Sequence, residues 1–359
     1  MKTFLKVAFA LFLVVLVAAG GFAFVTWRSV SAEGQSAFRP GADDEIVVVI
    51  EKGTSPRAIA RLLEEKGVVE DGERFFRYLR FVAKKADKLR AGEYGLKASM
   101  TADAIIAELE TGRLRELRFT VPEGARKEDI ARIIGASGVA SEKAMLAAMN
   151  DPALVRAFGV PAEGAGGQKG VPGGIEGYLF PDTYQFPKGT SPEQVLRRMR
   201  ARLDEVVTDE MRARMETMGW SLHKVLTLAA IVEKETGQPH ERPRIASVFH
   251  NRMKLGMKLQ TDPTVIYGIA GYDGNIRKKD LLTHHPYNTY TIPGLPPGPI
   301  ASPGVEAIRA ALWPEETKDL YFVSRNDGTH IFCPTLECHN AAVKKWQLEY
   351  FRKKRNRGG

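Results

Sequence analysis

The chain has 359 residues, which at about 150 residues per domain corresponds to two domains. Hydrophobic residues make up 44% and charged residues 26%, an ordinary globular composition that excludes a disordered or collagen-like chain. Two cysteines exclude a disulfide-dense scaffold, and the net charge of +9 favours polyanionic neighbours such as nucleic acid, anionic lipid or wall polymers.

The first 28 residues predict a single transmembrane helix. Residues 7–25 carry no charge and, at 1.5 Å per residue, reach ~28 Å, about the thickness of a bilayer core. Lysines precede this stretch, and Trp27 and Arg28 follow it, which favours an anchor with a cytoplasmic N-terminus. A signal peptide cleaved near residues 18–21 is the alternative, although its apolar region would span only ~7–15 residues. We therefore expect about 330 residues to lie outside the cytoplasm and expect no nucleic-acid partner.

The region 45–163 is predicted to use one pattern twice: a strand, a glycine turn and a helix. In the first copy, the β-branched strand 45–50 precedes Ser55, which can cap a helix that begins with proline. In the second copy, the strand 117–121 precedes the helix 127–134. The pattern resembles LysM-like wall-binding modules, and a plain α+β region without a ligand is the alternative.

The remaining sequence predicts a further region of mixed α and β structure. The glycine-rich segment 164–174 is expected to form a flexible boundary or the rim of an active site. The elements predicted after it are helices at 191–207, 221–236, 242–255, 302–312 and 337–351, and a hairpin at 320–332. The expected fold class is α+β. The expected order begins with an anchor at 1–28, a linker at 29–44 and a LysM-like region at 45–163. A catalytic domain at 164–346 and a basic tail at 347–359 are expected to follow.

One carboxyl lies on the apolar face of the predicted helix 221–236. At ~100° per residue, the residues within about 60° of Glu233 are Leu222, Leu226, Ala229 and Ala230. A carboxyl in such a setting needs a partner or must be held neutral, and a neutral carboxyl is what protonates a glycosidic oxygen. The alternative is an ordinary last-turn residue exposed to water. Glu235 points about 200° away, where we expect it to pair with Lys224.

A second polar segment, 259–268, offers amide, hydroxyl, carboxylate and phenol groups suited to sugar hydroxyls. We expect Gln260 to face a ligand. Thr261 or Asp262 can instead cap a helix whose first residue is Pro263, and we expect Asp262 to be that cap.

Aromatic residues in two loop segments could stack on sugar faces. The segment 176–184 contains Glu176 and Tyr178, and the proline- and glycine-rich segment 286–304 contains Tyr287 and Tyr290. The alternative for loop aromatics beside proline is packing in the core.

Several catalytic classes lack their motifs in the sequence. It contains no nucleophile elbow, no Walker loop and no His-Glu-x-x-His zinc motif. Cys333 and Cys338, with His330 and His339, match no standard zinc spacing, so a disulfide or free thiols are favoured over zinc. The sequence leaves the pairing of the two cysteines open.

Several motifs resemble, in order, those of the endolytic murein transglycosylase (MltG, YceG-like) family. The first four are Glu-Gly-Tyr-Leu-Phe-Pro-Asp-Thr-Tyr from residue 176, Ile-Val-Glu-Lys-Glu-Thr from 231, Ala-Ser-Val-Phe-x-Asn-Arg from 246 and Leu-Gln-Thr-Asp-Pro-Thr-Val-Ile-Tyr-Gly from 259. The last three are Tyr-Asn-Thr-Tyr from 287, Gly-Leu-Pro-Pro-Gly-Pro-Ile from 294 and Phe-x-x-Thr-Leu-x-x-His-Asn from 332. The resemblance runs from about residue 45 to 346. It implies a single-pass inner-membrane protein with a LysM-like subdomain and a mixed α/β catalytic domain.

The resemblance also implies a reaction: cleavage of the N-acetylmuramoyl–N-acetylglucosamine bond without water, which leaves a 1,6-anhydro end. It identifies Glu233 as the catalytic acid. The predicted substrate-binding residues are Gln260, Thr261, Asp262, Glu176, Tyr178, Tyr287, Asn288 and Tyr290. No metal or organic cofactor is required, and the expected partners are peptidoglycan strands, membrane lipid and peptidoglycan synthases. The alternatives are a non-enzymatic wall-binding scaffold and a lysozyme-like hydrolase that uses Asp262 or Glu176 as a second carboxylate.

Overall fold

In the computed structural model, the described residues are Val17, Gly21, 37–51, 53–111, 116–162 and 174–349. The predicted membrane segment 7–25, apart from two residues, lies outside them, as do residues 164–173 of the glycine-rich segment and 350–359 of the basic tail. Within the described ranges, no helix is long and apolar enough to cross a membrane.

The chain divides into two compact units, Met1–Glu116 and Leu117–Gly359. The described elements of the first unit are β1 (Ile46–Ile50), α1 (Pro56–Glu65), α2 (Gly72–Arg77) with a π-helical turn (Tyr78–Val82), β2 (Gly92–Leu96) and α3 (Ala102–Thr111). β1 and β2 pair antiparallel, with Ile46 opposite Leu96. As predicted, Ser55 caps α1 by accepting a hydrogen bond from the backbone N–H of Ala58.

The core of the first unit forms between one face of its sheet and its helices. Val48 and Tyr94 lie opposite each other on the two strands and are fully buried, whereas Val49, between two buried β1 residues, is exposed. Leu63 of α1 and Phe75 of α2 complete the same apolar cluster. The unit therefore has its own hydrophobic core.

The second unit is mostly helical. Its elements are β3 (Glu116–Thr120, whose first residue belongs to the first unit), α4 (Lys127–Ser137), α5 (Glu142–Met149), α6 (Pro152–Ala157), β4 (Thr183–Pro187), α7 (Pro192–Val206), α8 (Asp209–Met218), α9 (Leu222–Glu235), a 3₁₀ turn (Pro239–Glu241), α10 (Arg242–Lys254), α11 (Asp262–Gly268), α12 (Lys278–Leu282), α13 (Val305–Leu312), β5 (Tyr321–Ser324), β6 (His330–Cys333) and α14 (Leu336–Val343) with a π-helical turn (Lys344–Glu349). The sequence analysis did not predict α5, α6, α8, α12 or β4.

Helix α9 is the central helix of the second unit. Its residues 225–232 are all buried, because α9 packs against α10 and α13 and so has apolar neighbours around most of its circumference. The charged residues of α9 are consequently confined to its two ends, where Lys224 and Glu235 lie.

The boundary between the units differs from the one expected at 163/164. β3 pairs with β4, and the hydroxyls of Thr120 and Thr183 lie 2.9 Å apart. Phe119 and Ile130 belong to the same core as α9. The second predicted strand–turn–helix copy therefore packs with the larger unit, because its strand finds its partner more than sixty residues later.

The last hairpin carries a disulfide. β5 and β6 pair antiparallel, as predicted, and Cys333 at the end of β6 is bonded to Cys338 in α14. This bond answers the question of cysteine pairing that the sequence left open.

Candidate active site

The C-terminal end of α9 carries two carboxyls with different surroundings. The Glu233 side chain is only 6% exposed. One of its oxygens accepts a hydrogen bond from Arg242 Nη2 at 2.8 Å, and the other accepts one from the backbone N–H of Gly304 at 3.1 Å. The partner expected for a carboxyl on this face is thus an arginine. Both oxygens of Glu233 are engaged by protein donors.

Glu235 lies at the wall of a polar cleft. It does not pair with Lys224, contrary to expectation: its carboxyl accepts a hydrogen bond from the hydroxyl of Thr261, and Lys224 lies over the ring of Trp220. The pKa of Glu235 is raised to about 7: burial is the main cause, the Thr261 hydrogen bond lowers the pKa, and the charge of nearby Asp262 raises it. A substantial fraction of this carboxyl is therefore protonated near neutral pH.

The cleft encloses about 380 Å³. Its polar lining residues are Glu235, Arg252, Gln260, Asp262, Tyr290, Tyr321 and His339. Three of these, Gln260, Asp262 and Tyr290, were predicted to bind substrate. Glu233 is not among the residues that line this cleft.

Arg252 fixes the loop that carries Gln260. Its guanidinium donates to the carbonyls of Leu259 and Leu320 at 2.9 and 2.6 Å, and to Oε1 of Gln260 at 3.1 Å. Gln260 adopts a left-handed backbone conformation with φ of 52°. The side-chain oxygen is therefore held by the protein, and the amide nitrogen remains available as a hydrogen-bond donor at the cleft.

Thr261 joins the cleft to α11. It occupies the N-cap position of that helix but makes no side-chain capping bond, because its hydroxyl is used on Glu235. Asp262, expected to be the cap, is instead the first residue of α11 and is exposed, and its carboxylate accepts a 2.7 Å hydrogen bond from the Tyr290 hydroxyl. Asp262 is thus a second carboxylate in the same cleft as Glu235.

The other predicted binding residues are buried away from this lining. Tyr178 and Tyr287 are each 1% exposed, so neither ring presents a face to a ligand. Asn288 is also buried, and its amide donates to three backbone carbonyls of the preceding segment. Tyr178 and Tyr287 belong to the hydrophobic core, which is the alternative considered for the aromatic residues.

Glu176 is buried as well. It accepts hydrogen bonds from the backbone N–H of Lys127, at the N-terminus of α4, and from the Tyr267 hydroxyl at 3.2 Å. Burial raises the pKa of Glu176 to about 7, and Glu128 adds to this effect. Its contacts are those of a carboxyl that caps a helix from a distant loop.

The sequence analysis missed Arg252, Tyr321 and His339 as cleft residues. Arg252 lies 5.0 Å over the Tyr321 ring, and Tyr321 stacks on His339 at 5.2 Å. Arg252 and His339 do lie within the motifs that carry the family resemblance. Throughout the described ranges, no cluster of three or more His, Cys, Asp or Glu side chains could hold a metal ion.

A carboxyl with a raised pKa beside a groove of amide, carboxylate and phenol groups is typical of enzymes that cleave glycosidic bonds by acid catalysis. Comparison with known proteins agrees with that class. The model of the YceG-like family matches residues 48–345. The chain therefore belongs to the YceG-like family.

Individual relatives cover most of the chain. The endolytic murein transglycosylase of Bacillus subtilis (strain 168) is 36% identical over 322 residues, which cover 87% of this chain and 89% of the relative. That of Streptococcus pneumoniae serotype 2 is 29% identical over 326 residues, covering 83% of this chain and 58% of the relative. The crystal structure of a yceG-like protein from Listeria monocytogenes matches with a TM-score of 0.57 at 35% identity, covering 83% of this chain and 99% of that one.

Proposed function

We propose that this chain is an endolytic peptidoglycan transglycosylase and that Glu235 is its catalytic acid. The observation that carries the proposal is the raised pKa of about 7 of Glu235 at the wall of a polar cleft. The names of the relatives from Bacillus subtilis and Streptococcus pneumoniae supply the substrate class.

In the proposed reaction, neutral Glu235 donates its proton to the oxygen between N-acetylmuramoyl C1 and the next N-acetylglucosamine. Charge then develops at C1 in an oxocarbenium-like transition state. The Glu235 carboxylate next removes the proton from the C6 hydroxyl, and O6 bonds to C1 to close the 1,6-anhydro ring. One residue acts first as acid and then as base, and no water is consumed.

The assignment moves from Glu233, which the motif suggested, to its neighbour two residues later. A glycosidic oxygen could reach Glu233 only by displacing Arg242 or the Gly304 N–H. Among the described residues, Glu235 accepts a hydrogen bond from one donor, the Thr261 hydroxyl. We therefore assign Glu233 a positioning role: with Arg242 it holds the last turn of α9, which carries Glu235.

Gln260, Asp262 and Tyr290 are the proposed substrate contacts. Asp262 also supports a second candidate, a lysozyme-like hydrolase, because it is a carboxylate in the same cleft that could activate water or attack C1. The two candidates predict different products: a lyase leaves anhydro ends, whereas a hydrolase leaves reducing ends.

A matched pair of substitutions tests the acid. Glu235→Gln keeps size but cannot donate a carboxylic proton, so we expect turnover of purified glycan strands to fall by about 10²–10⁴-fold. Glu233→Gln, two residues away, should be far milder. Equal losses, with both variants folded by circular dichroism, would refute the assignment to Glu235.

The same assay in H₂¹⁸O tests the reaction. Muropeptide mass spectrometry should detect ends lighter than reducing ends by one water and free of ¹⁸O at C1. Stoichiometric ¹⁸O incorporation would establish the hydrolase, and intact strands would favour a non-enzymatic scaffold.

We further infer a location in the inner membrane, with the N-terminus cytoplasmic, an outer LysM-like unit that binds peptidoglycan, and synthases as neighbours. The charge-free stretch 7–25 and the lysines before it support this orientation. Protease digestion of spheroplasts should remove the C-terminal tail, and its survival would contradict the orientation. Co-sedimentation with insoluble peptidoglycan tests wall binding, and cross-linking in cells tests the synthases.

A further inference from the structure

A second cavity lies at the opposite end of α9 from Glu235. It encloses about 430 Å³ and lies between α8, the start of α9 and the end of α10. Its polar and aromatic lining residues are Arg214, Trp220, Lys224, His250 and Lys254, and two methionines and a proline form the rest of the wall. None of the lining residues is acidic.

The three cations that line this cavity are Arg214, Lys224 and Lys254. In the part of the chain that the structure describes, no ion pair involves Arg214, Lys224 or Lys254. Elsewhere on the same unit, Arg197 and Arg200 of α7 each pair with a carboxylate four residues away. An ordinary solvated helix face mixes charges in that way, and this cavity does not.

The geometry of Arg214 and Lys224 directs positive charge toward the cavity. Arg214 Nε donates to the carbonyl of Leu312 at 3.0 Å, which fixes the guanidinium and leaves its terminal nitrogens available. Lys224 Nζ lies 4.3 Å from the centre of the Trp220 ring. The cavity thus presents guanidinium and ammonium donors beside the Trp220 ring.

His250 lies in the electrostatic field of the three cations of the cavity. Its ring stacks on Trp220 with centroids 4.8 Å apart and planes 9° apart, and its Nε2 donates to the carbonyl of Ala311 at 2.9 Å. Burial lowers the pKa of His250, and Lys254, Lys224 and Arg214 each lower it further. The three cations therefore all act on the same imidazole ring.

We propose that this cavity is a binding site for a multiply charged oxyanion, a phosphate or pyrophosphate ester. Three cations exceed what one carboxylate would balance, whereas a pyrophosphate matches them in charge. Guanidinium and ammonium donors both suit phosphate oxygens. A soluble sugar phosphate and a lipid-linked phosphate share this chemistry.

The site has a defined relation to the cleft. Lys224 and Glu235 are eleven residues apart on α9, which corresponds to about 16 Å along the axis and about 20° around it. A ligand in the cavity would therefore lie on the same side of α9 as a glycan in the cleft. The proposal does not depend on the reaction assigned to Glu235.

Calorimetric titration of the full chain with inorganic pyrophosphate, at physiological ionic strength, tests the site. We expect saturable binding that weakens at least tenfold, about 1.4 kcal/mol, in the double variant Lys224→Gln/Lys254→Gln. The matched control, Lys143→Gln/Lys278→Gln, removes the same charge from exposed positions outside the cavity and should bind normally. Equal binding by the two doubles, or no saturable binding by the native chain, would overturn the proposal. Lys254→Gln alone, at an exposed position, provides a test if the double variant is misfolded.

Nuclear magnetic resonance locates the bound anion. Bound pyrophosphate should raise the pKa of His250, while acetate at the same concentration should leave that pKa unchanged. A His250 pKa that pyrophosphate does not change would place the anion elsewhere and refute the site. Displacement of the bound pyrophosphate by a hexose phosphate, or by phosphatidylcholine vesicles carrying a polyprenyl phosphate, identifies whether the ligand is soluble or lipid-linked. If neither compound displaces pyrophosphate, the proposed ligand class is refuted. Binding should persist in Glu235→Gln, so failure of the site and failure of the proposed reaction are distinguishable.

Discussion

Replacement of Glu176 by glutamine should change how the stability of the second unit depends on pH. The native carboxyl is 5% exposed and has a pKa raised from 4.5 to about 7, mainly by burial. The folded protein therefore holds the Glu176 proton more tightly than the unfolded chain does. The resulting stability is present in full below pH 4.5 and is lost as the pH rises to about 7.

The size of this change in stability follows from the pKa shift of Glu176. At about 1.36 kcal/mol per pH unit, the difference between 4.5 and about 7 corresponds to about 3 kcal/mol. Glutamine resembles the protonated carboxyl in shape and never ionises. Glu176→Gln should thus gain about 3 kcal/mol relative to the native chain between about pH 4.5 and pH 8.

Urea unfolding at those two pH values, followed by tryptophan fluorescence, measures this gain. Trp220, Trp313 and Trp346 all belong to the second unit, so the signal reports the relevant part of the chain. Glu315→Gln, at an exposed position, is the control and should leave the pH dependence unchanged. A difference between Glu176→Gln and the native chain that is the same at both pH values would refute the reasoning.

Two further substitutions test the cleft and the hairpin. Thr261→Val removes the hydrogen bond that lowers the pKa of Glu235, so the alkaline limb of the pH–rate profile should move to higher pH. Thr261→Ser keeps the hydroxyl and should retain the native midpoint of that limb. A midpoint that the valine variant leaves unchanged would contradict the role of this hydroxyl. Cys333→Ser/Cys338→Ser opens a loop with a sequence separation of 5 and should cost about 2 kcal/mol. Thermal unfolding should register that cost as a melting temperature lower by about 5 °C, and an unchanged value would show that the bond contributes little.

Elements specified by local chemistry were predictable from the sequence. Ser55 before proline determines where α1 begins, and the turn at residues 326–329 joins the β5–β6 hairpin. The long apolar period of 221–236 predicted α9 to within a residue at each end. In each case the residues that specify the element are neighbours in the chain.

Features that depend on distant partners were not predictable. A helical wheel places Glu235 opposite the apolar face, but the chain after α10 returns and covers it with Thr261, 26 residues later. In the same way, β3 joins the larger unit because of β4, which no local pattern indicates. The helical wheel correctly placed Glu233 on a buried face, and it could not distinguish a carboxyl held by Arg242 from one open to a ligand.

The backbone of Gln260 limits how this position can evolve. A left-handed conformation costs a residue with a side chain about 1–2 kcal/mol, and glycine would remove that cost. Glycine would also remove the amide that Arg252 orients toward the cleft. Selection for stability alone would favour glycine at residue 260, so retention of glutamine there measures the advantage that its amide confers. In a directed-evolution experiment selecting only for thermal resistance, Gln260 is accordingly a position where gains in stability would be accompanied by loss of function.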